Sequence, residues 1–189
     1  MTRPETSIVI RTFNEERDLP RLLEAIHEQR YQDFEVIDVD SGSYDRTTAI
    51  AQEHGARLLR ISSRDFTFGY SLNVGVEAAL GKIVVLVSAH TEPHDVFWLE
   101  RLIEPLRTEG LAMVYGRQFG TPKSKFGELR DLERTFGPER KVMAPPKFSR
   151  TMPTRPYRGN CGRVTTLTRF SPGKKISSGP STGWSEGTR

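Results

Sequence analysis

A single cysteine, Cys161, stands in a chain of 189 residues. An internal disulfide framework and a thiolate metal cluster are therefore both impossible, which excludes a stapled secreted scaffold and a zinc finger. Long apolar runs are missing as well. None is longer than Ile83 to Val87, far short of the roughly 20 residues that a bilayer-spanning helix needs. The opening MTRPETS has no charged-then-apolar leader pattern, so the expectation is a cytoplasmic protein, or one peripheral at the inner face of a membrane. Neither a GxGxxG step nor a GxxxxGK[ST] loop occurs, so the dinucleotide-fold and P-loop accounts of a strand-end site fail.

What is present suits one globular domain, with 35% hydrophobic and 28% charged residues. The formal charge of +4 is unevenly spread: residues 150–189 carry a balance of +7, and residues 1–149 carry −3. The basicity lies in the tail, and the body has no basic stripe with interleaved aromatics, so no nucleic-acid partner is expected.

Along the body, short β-branched runs alternate with helix-length amphipathic segments, the pattern of an α/β fold with a mostly parallel sheet. Strands are expected at Ser7–Arg11, Phe34–Val39, Ala56–Ile61, Ile83–Val87 and Leu111–Tyr115. Helices are expected from the Asp18 cap through Leu19, Leu22, Leu23 and Ile26, and over Asp45–His54, Gly69–Leu80 and Asp95–Leu106. Ile83–Val87 is apolar throughout, as the central strand of such a sheet would be. No repeat period is visible.

Ligands of open α/β sheets bind at the carboxyl ends of the strands. Three of those ends are unusual here: Thr12-Phe13-Asn14-Glu15-Glu16, Asp40-Ser41-Gly42-Ser43-Tyr44-Asp45 and Ser88-Ala89-His90-Thr91-Glu92-Pro93. Taken singly, Thr12, Asn14 and Asp18 read as turn and cap residues, and Asp40 to Ser43 reads as an Asx turn ahead of a helix. All three segments would open on one crevice.

In their order along the chain these segments resemble the family 2 glycosyltransferases, which use the GT-A nucleotide-sugar fold. The opening SIVIRTFNEERDLPRLLEAIHEQRYQDFEVIDVDSGSYDRT is similar to the start of that family. FGYSLNVGVEAALGKIVVLVSAH, with Gly69, Asn73, Gly75 and Gly81, is similar to its middle. The likeness covers roughly Ser7 to Gly120 and implies a domain that binds a nucleotide diphosphate sugar. It implies transfer of the sugar to an acceptor hydroxyl with inversion, the acceptor being a glycan, a lipid-linked sugar or a small molecule. By resemblance Thr12, Asn14 and Glu15 line the nucleotide side, Asp40 and Ser41 sit where the family grips the base, and Asn73 and Ser88 complete the nucleotide-sugar set. The family most often has a second acid at the position of Ser41.

A divalent cation, Mn²⁺ or Mg²⁺, is the implied cofactor. Where the family usually carries D-x-D, this chain has Ser88-Ala89-His90, which leaves His90 as the expected protein ligand. An imidazole offers a cation less charge than a carboxylate and suits Mn²⁺ better than Mg²⁺. Glu92 is a candidate partner for it, whereas Pro93, His94 and Trp98 read as turn and packing residues.

Beyond Lys147 the composition changes. Of residues 150–189, 22 are Ser, Thr, Gly or Pro, none is alanine, and Leu167 is the only leucine. Composition alone makes this an irregular basic tail. The genetic code offers a second account. Codons built from the third base of one residue and the first two of the next permit NDANAAIPRQLW and then an acid for Arg150 to Gly162. For Ser171 to Arg189 the same frame permits PGKEDIEWAKYGLERGYK, which resembles a later part of the same family, where an acid pair carries the catalytic base. The expectation is thus a frameshift near Pro145 to Ser149. Residues 1–147 would form an incomplete nucleotide-sugar-binding domain, residues 148–189 would be a low-order tail, and no catalytic residue is assigned within the chain. The alternatives are an inactive nucleotide-sugar-binding remnant without its general base, and a nucleotidyltransferase-like enzyme. The latter would want a Gly- and Lys-rich loop that Arg11 to Glu16 does not provide.

Overall fold

Apolar residues fall on both sides of the pleat in Ile8-Val9-Ile10 and in Ile83–Val87, and strands of that kind must be covered on both faces. In the computed structural model they are. The structure describes residues 3–109, 111, 113–118, 120, 126–135 and 163–167. Its elements in order are β1 (Thr6–Thr12), α1 (Leu19–His27), β2 (Phe34–Asp40), α2 (Thr47–Glu53), β3 (Arg57–Arg60), α3 (Phe68–Ala78), β4 (Ile83–Ser88), α4 (Trp98–Thr108), β5 (Met113–Tyr115), α5 (Phe126–Thr135) and β6 (Arg163–Leu167). The strands form one sheet in the order β3-β2-β1-β4-β6-β5, and every pairing in it is parallel. The expected α/β class with helices flanking a mostly parallel sheet is the observed one.

The two faces of the sheet are covered by different helices. On one face Ile8, Ile10, Val85 and Val87 pack with Leu19, Leu22, Leu23 and Ile26 of α1 and with Leu99, Leu102, Ile103 and Leu106 of α4. On the other face Val9, Ile37, Val39, Val84 and Leu86 pack with Leu72, Val74 and Val76 of α3. Helix α3 lies unusually close to the strands. A Cβ on Gly75 would stand 2.3 Å from Val9 Cγ1 and 3.1 Å from Val39 Cγ2, and one on Gly81 would stand 2.6 Å from the backbone nitrogen of Ser7. Nothing lies within 4 Å of a Cβ built on Gly69.

Glu35 ties the amino ends of the strands together. Its carboxylate accepts from Ser7 Oγ at 2.6 Å, from the Leu80 amide at 2.7 Å and from Arg57 Nη2 at 2.9 Å. The Gly81 amide in turn donates to Ser7 Oγ at 2.8 Å.

One expectation needs correction. Asp18 stands at the start of α1 without a side-chain cap; the turn is closed by the Asp18 and Leu19 amides donating to the Glu15 carbonyl at 3.0 and 2.9 Å. Within the stretch expected to be an irregular tail, residues 163–167 form β6 and pair with β4 and β5. Three of those five residues, Val164, Thr165 and Thr166, are β-branched, and the edge of β4 leaves a row of backbone groups that any extended segment can satisfy. The expected boundary near Lys147, Cys161 and the remainder of residues 148–189 lie outside the described residues.

Candidate functional site

The carboxyl ends of β1 and β2 are joined by side chains reaching across more than twenty residues of sequence. Thr12, the last residue of β1, is buried, and its Oγ1 donates to Asp38 Oδ1 at 2.8 Å. The Thr12 carbonyl accepts from the Ser41 amide at 3.0 Å, carrying the β1–β2 pairing one residue past the strands. Asp40 turns its carboxylate back on its own loop and accepts from the Gly42 amide at 3.1 Å and the Ser43 amide at 3.1 and 3.2 Å. This is an Asx turn, and it places Gly42 at φ +90°, where a side chain would be strained. Asp40 is thus a turn-former in fact, as one reading of the sequence had it.

Asn14 locks the two loops to each other. It sits at φ +54°; its amide donates to Ser43 Oγ at 2.8 Å, and its Oδ1 accepts from the Tyr44 amide at 3.0 Å. Beside it the Glu15 amide donates to Thr47 Oγ1 at 2.7 Å. The Glu16 amide donates to Asp45 Oδ2 at 3.2 Å, and the Arg46 amide to Glu16 Oε2 at 3.0 Å. Thr12, Asn14, Glu15, Asp40 and Ser41 therefore meet in one hydrogen-bonded floor. Within that floor the Ser41 hydroxyl is buried and has no hydrogen-bond partner among the described residues, a polar group whose burial is costly until something pairs with it.

Ser88 ends β4, in register with Arg11 of β1. Its hydroxyl lies 3.4 and 3.3 Å from the two ring nitrogens of His90, and the Ser88 carbonyl accepts from Thr91 Oγ1 at 2.7 Å. His90 is half-buried and Glu92 exposed. Among the described residues no group of three or more His, Cys, Asp or Glu side chains could hold a metal ion. Asn73 is exposed on α3, and among the described residues no hydrogen bond is seen between it and the floor around Asp40.

Two residues of this region escaped the sequence reading. Asp38 is wholly buried in mid-strand, with Oδ2 lacking a partner among the described residues. Burial, together with the neighbouring charge of Asp40 and against the Thr12 hydrogen bond, pushes its carboxyl up to about 7. Arg11 is half-buried, and its guanidinium stacks 4.5 Å from the centroid of the Phe68 ring. The signal for both was a charged residue inside an otherwise apolar strand. Aromatic rings rim the same end of the sheet: Phe13 and Tyr44 meet edge to face at 6.3 Å, and Phe66 and Phe68 at 5.4 Å.

Comparison with known proteins bears on the fold and the family. Glycosyltransferase AglE of Haloferax volcanii is 31% identical over 121 residues, which cover 61% of this chain and 40% of that protein. A PGL/p-HBAD biosynthesis glycosyltransferase of Mycobacterium bovis is 33% identical over 140 residues, covering 71% of this chain and 55% of the relative. The chain thus spans about half the length of these relatives. Among solved structures, S. aureus TarS 1–349 superposes with a TM-score of 0.58 at 20% identity, over 64% of this chain and 37% of TarS. The mannosyltransferase PcManGT of Pyrobaculum calidifontis, crystallised with GDP-Man and Mn²⁺, superposes with a TM-score of 0.53 at 22% identity, over 70% of this chain and 39% of its own. A family model described as glycosyl transferase family 2 matches residues 7–167, and with most of its length inside that match the chain belongs to glycosyl transferase family 2.

Proposed function

We propose that this chain binds the nucleotide diphosphate sugar donor of an inverting glycosyltransferase at the carboxyl ends of β1, β2 and β4. The observation that carries the reading is the floor made by Thr12, Asn14, Glu15, Asp40 and Ser41, with the buried Ser41 hydroxyl still lacking a partner. A nucleotide offers donors and acceptors on its base and ribose, and a polar floor at the strand ends suits them. The relatives support the reading by name, being glycosyltransferases. TarS has been crystallised with UDP-GlcNAc.

Thr12, Asn14, Glu15, Asp40 and Ser41 hold the base and ribose in this reading, with Asn73 and Ser88 towards the sugar and diphosphate. The donors at the end of β4 fit a divalent cation only in part. His90 offers one imidazole beside a serine hydroxyl, so Mn²⁺ or Mg²⁺ would be held there by His90 together with the oxygens of the diphosphate. When bound, such a cation would neutralise charge on the leaving nucleotide. Calorimetry on the full chain with UDP, GDP and dTDP, each with and without Mn²⁺, tests the proposal. The expected result is binding of at least one nucleotide, tightened by metal; binding of none of them overturns it.

A frameshift near Pro145 to Ser149 is a separate proposal about the gene. It rests on the two segments that a single shifted frame permits on either side of β6, the second of them similar to a later part of the family. The pairing of β6 is compatible with either frame, because ladder hydrogen bonds are made by backbone groups common to every sequence. Sequencing across codons 140–155 decides it: an inserted or missing base is expected, and an uninterrupted frame refutes it.

A further inference from the structure

We propose that Arg11 binds the diphosphate of the donor, its guanidinium held at the carboxyl end of β1 by the face of Phe68. The proposal deepens the nucleotide-sugar reading and rests on it.

Arg11 is in register with Val39 of β2 on one side and Ser88 of β4 on the other. It therefore stands between the strand end that carries Asp40 and Ser41 and the one that carries Ser88 and His90. Side chains alternate along a strand. Thr12 points to the face where Asp38 lies, so Arg11 points to the face covered by α3, where its guanidinium meets Phe68, the first residue of that helix.

Burial sets Arg11 apart from the other arginines of residues 3–134, all of which are exposed, including Arg30 and Arg130, which also lie over aromatic rings. Arg46, Arg57, Arg101 and Arg107 each reach a carboxylate: Glu53, Glu35, Asp95 and Glu5 respectively. Arg11 is half-buried, and among the described residues it has an aromatic ring and no carboxylate. Burial pulls its guanidinium below the usual arginine range, so the charge is held at a cost that stacking offsets only in part. A planar guanidinium on a ring still has its edge donors to offer, and the fork of an arginine matches two phosphate oxygens at once. The surrounding donor set calls for such a group. The end of β4 presents a serine and a histidine, and no cluster of three acidic or metal-ligating side chains exists among the described residues. A doubly charged leaving group needs positive charge that is already in place when the bond to the sugar breaks. Arg11 supplies it from a strand, in a fixed position.

The test is calorimetry in EDTA on the full chain and on Arg11→Gln and Arg11→Lys, with uridine, UMP and UDP and with guanosine, GMP and GDP. The wild type is expected to bind the diphosphate of its preferred base at least tenfold more tightly than the nucleoside. Arg11→Gln should abolish that gain and leave nucleoside affinity within twofold, and Arg11→Lys should recover part of it. The melting temperature of Arg11→Gln should be unchanged or higher, because a desolvated cation has been removed. Nucleoside binding with no gain from the phosphates, or a gain that survives in Arg11→Gln, overturns the role of Arg11 and leaves the nucleotide reading standing. Equal loss of nucleoside and diphosphate with a lower melting temperature shows a structural role and also overturns it. Failure of the wild type to bind any of the six in EDTA overturns the role of Arg11, while the nucleotide reading falls only if UDP, GDP and dTDP also fail to bind with Mn²⁺.

Discussion

Asp38 is the residue whose chemistry the fold changes most. An aspartate wholly buried in mid-strand, with the Thr12 hydroxyl on one oxygen, is easier to hold neutral than charged, which is why burial raises its carboxyl from 3.8 to about 7. The sign of the consequence follows from proton counting. Between pH 4 and 7 the folded chain keeps a proton on Asp38 that the unfolded chain has released, so this residue's contribution to stability falls as pH rises through that window. It levels off above 7, at a slope of at most about 1.4 kcal/mol per pH unit. Asp38→Asn keeps an oxygen for Thr12 and removes the titration. Relative to wild type, Asp38→Asn is therefore expected to gain on the order of 2–4 kcal/mol between pH 4.5 and 8. Chemical denaturation of both proteins at the two pH values checks this, and parallel pH profiles would refute it.

At the scale of elements, the close seat of α3 makes the sharper prediction. Alanine is a better helix former than glycine by about 1 kcal/mol, so propensity alone would make Gly75→Ala stabilising. Packing opposes it: the new methyl would stand 2.3 Å from Val9 Cγ1, and overpacking a closed core costs about 1–3 kcal/mol. The clash should win. Gly75→Ala is expected to destabilise, and Val9→Ala, which removes the offending methyl, should cost less in the Gly75→Ala background than alone. A thermal-denaturation cycle of the four proteins measures that coupling, and additive losses would show that α3 shifts freely.

The same scale shows what could be read from sequence. Helix α1 was legible because Leu19, Leu22, Leu23 and Ile26 repeat at helical spacing, and all four are fully buried. Strand β4 was legible because its apolar run is unbroken. Helix α5 carries only Phe126, Leu129 and Leu132 at helical spacing, too short a run to stand out, and β6, five residues in a polar stretch, gave no such period. Of the candidate site, the neighbourhood of Thr12, Asn14, Glu15, Asp40 and Ser41 was legible because strand ends are where α/β sheets place ligands. Arg11 and Asp38 were not. A lone charge in an apolar strand acquires meaning only from its neighbours, and those are Phe68 and Thr12, the latter 26 residues away in sequence.

Over the whole molecule, the sheet is held in two different ways along its length. Its middle is closed by two apolar clusters, one on each face. Its carboxyl end is closed by hydrogen bonds between loops, with Asn14, Ser43, Tyr44, Glu16 and Arg46 contributing amides or side chains near solvent. Regions with few buried apolar contacts and solvent-near backbone bonds open at lower free energy than a core does. The amides of Asn14, Gly42, Ser43 and Tyr44 should therefore exchange with deuterium well before those of Val9, Ile10, Val85 and Leu86. A nucleotide seated on this floor would bind only the closed form, and at 100 times its dissociation constant it would add about 2.7 kcal/mol to the stability of that form. Exchange at the four loop amides should then slow by up to about 100-fold on adding the nucleotide that calorimetry identifies. Protection confined to α5, or none at all at a ligand concentration that saturates calorimetry, would place the nucleotide somewhere other than the crevice at the ends of β1, β2 and β4.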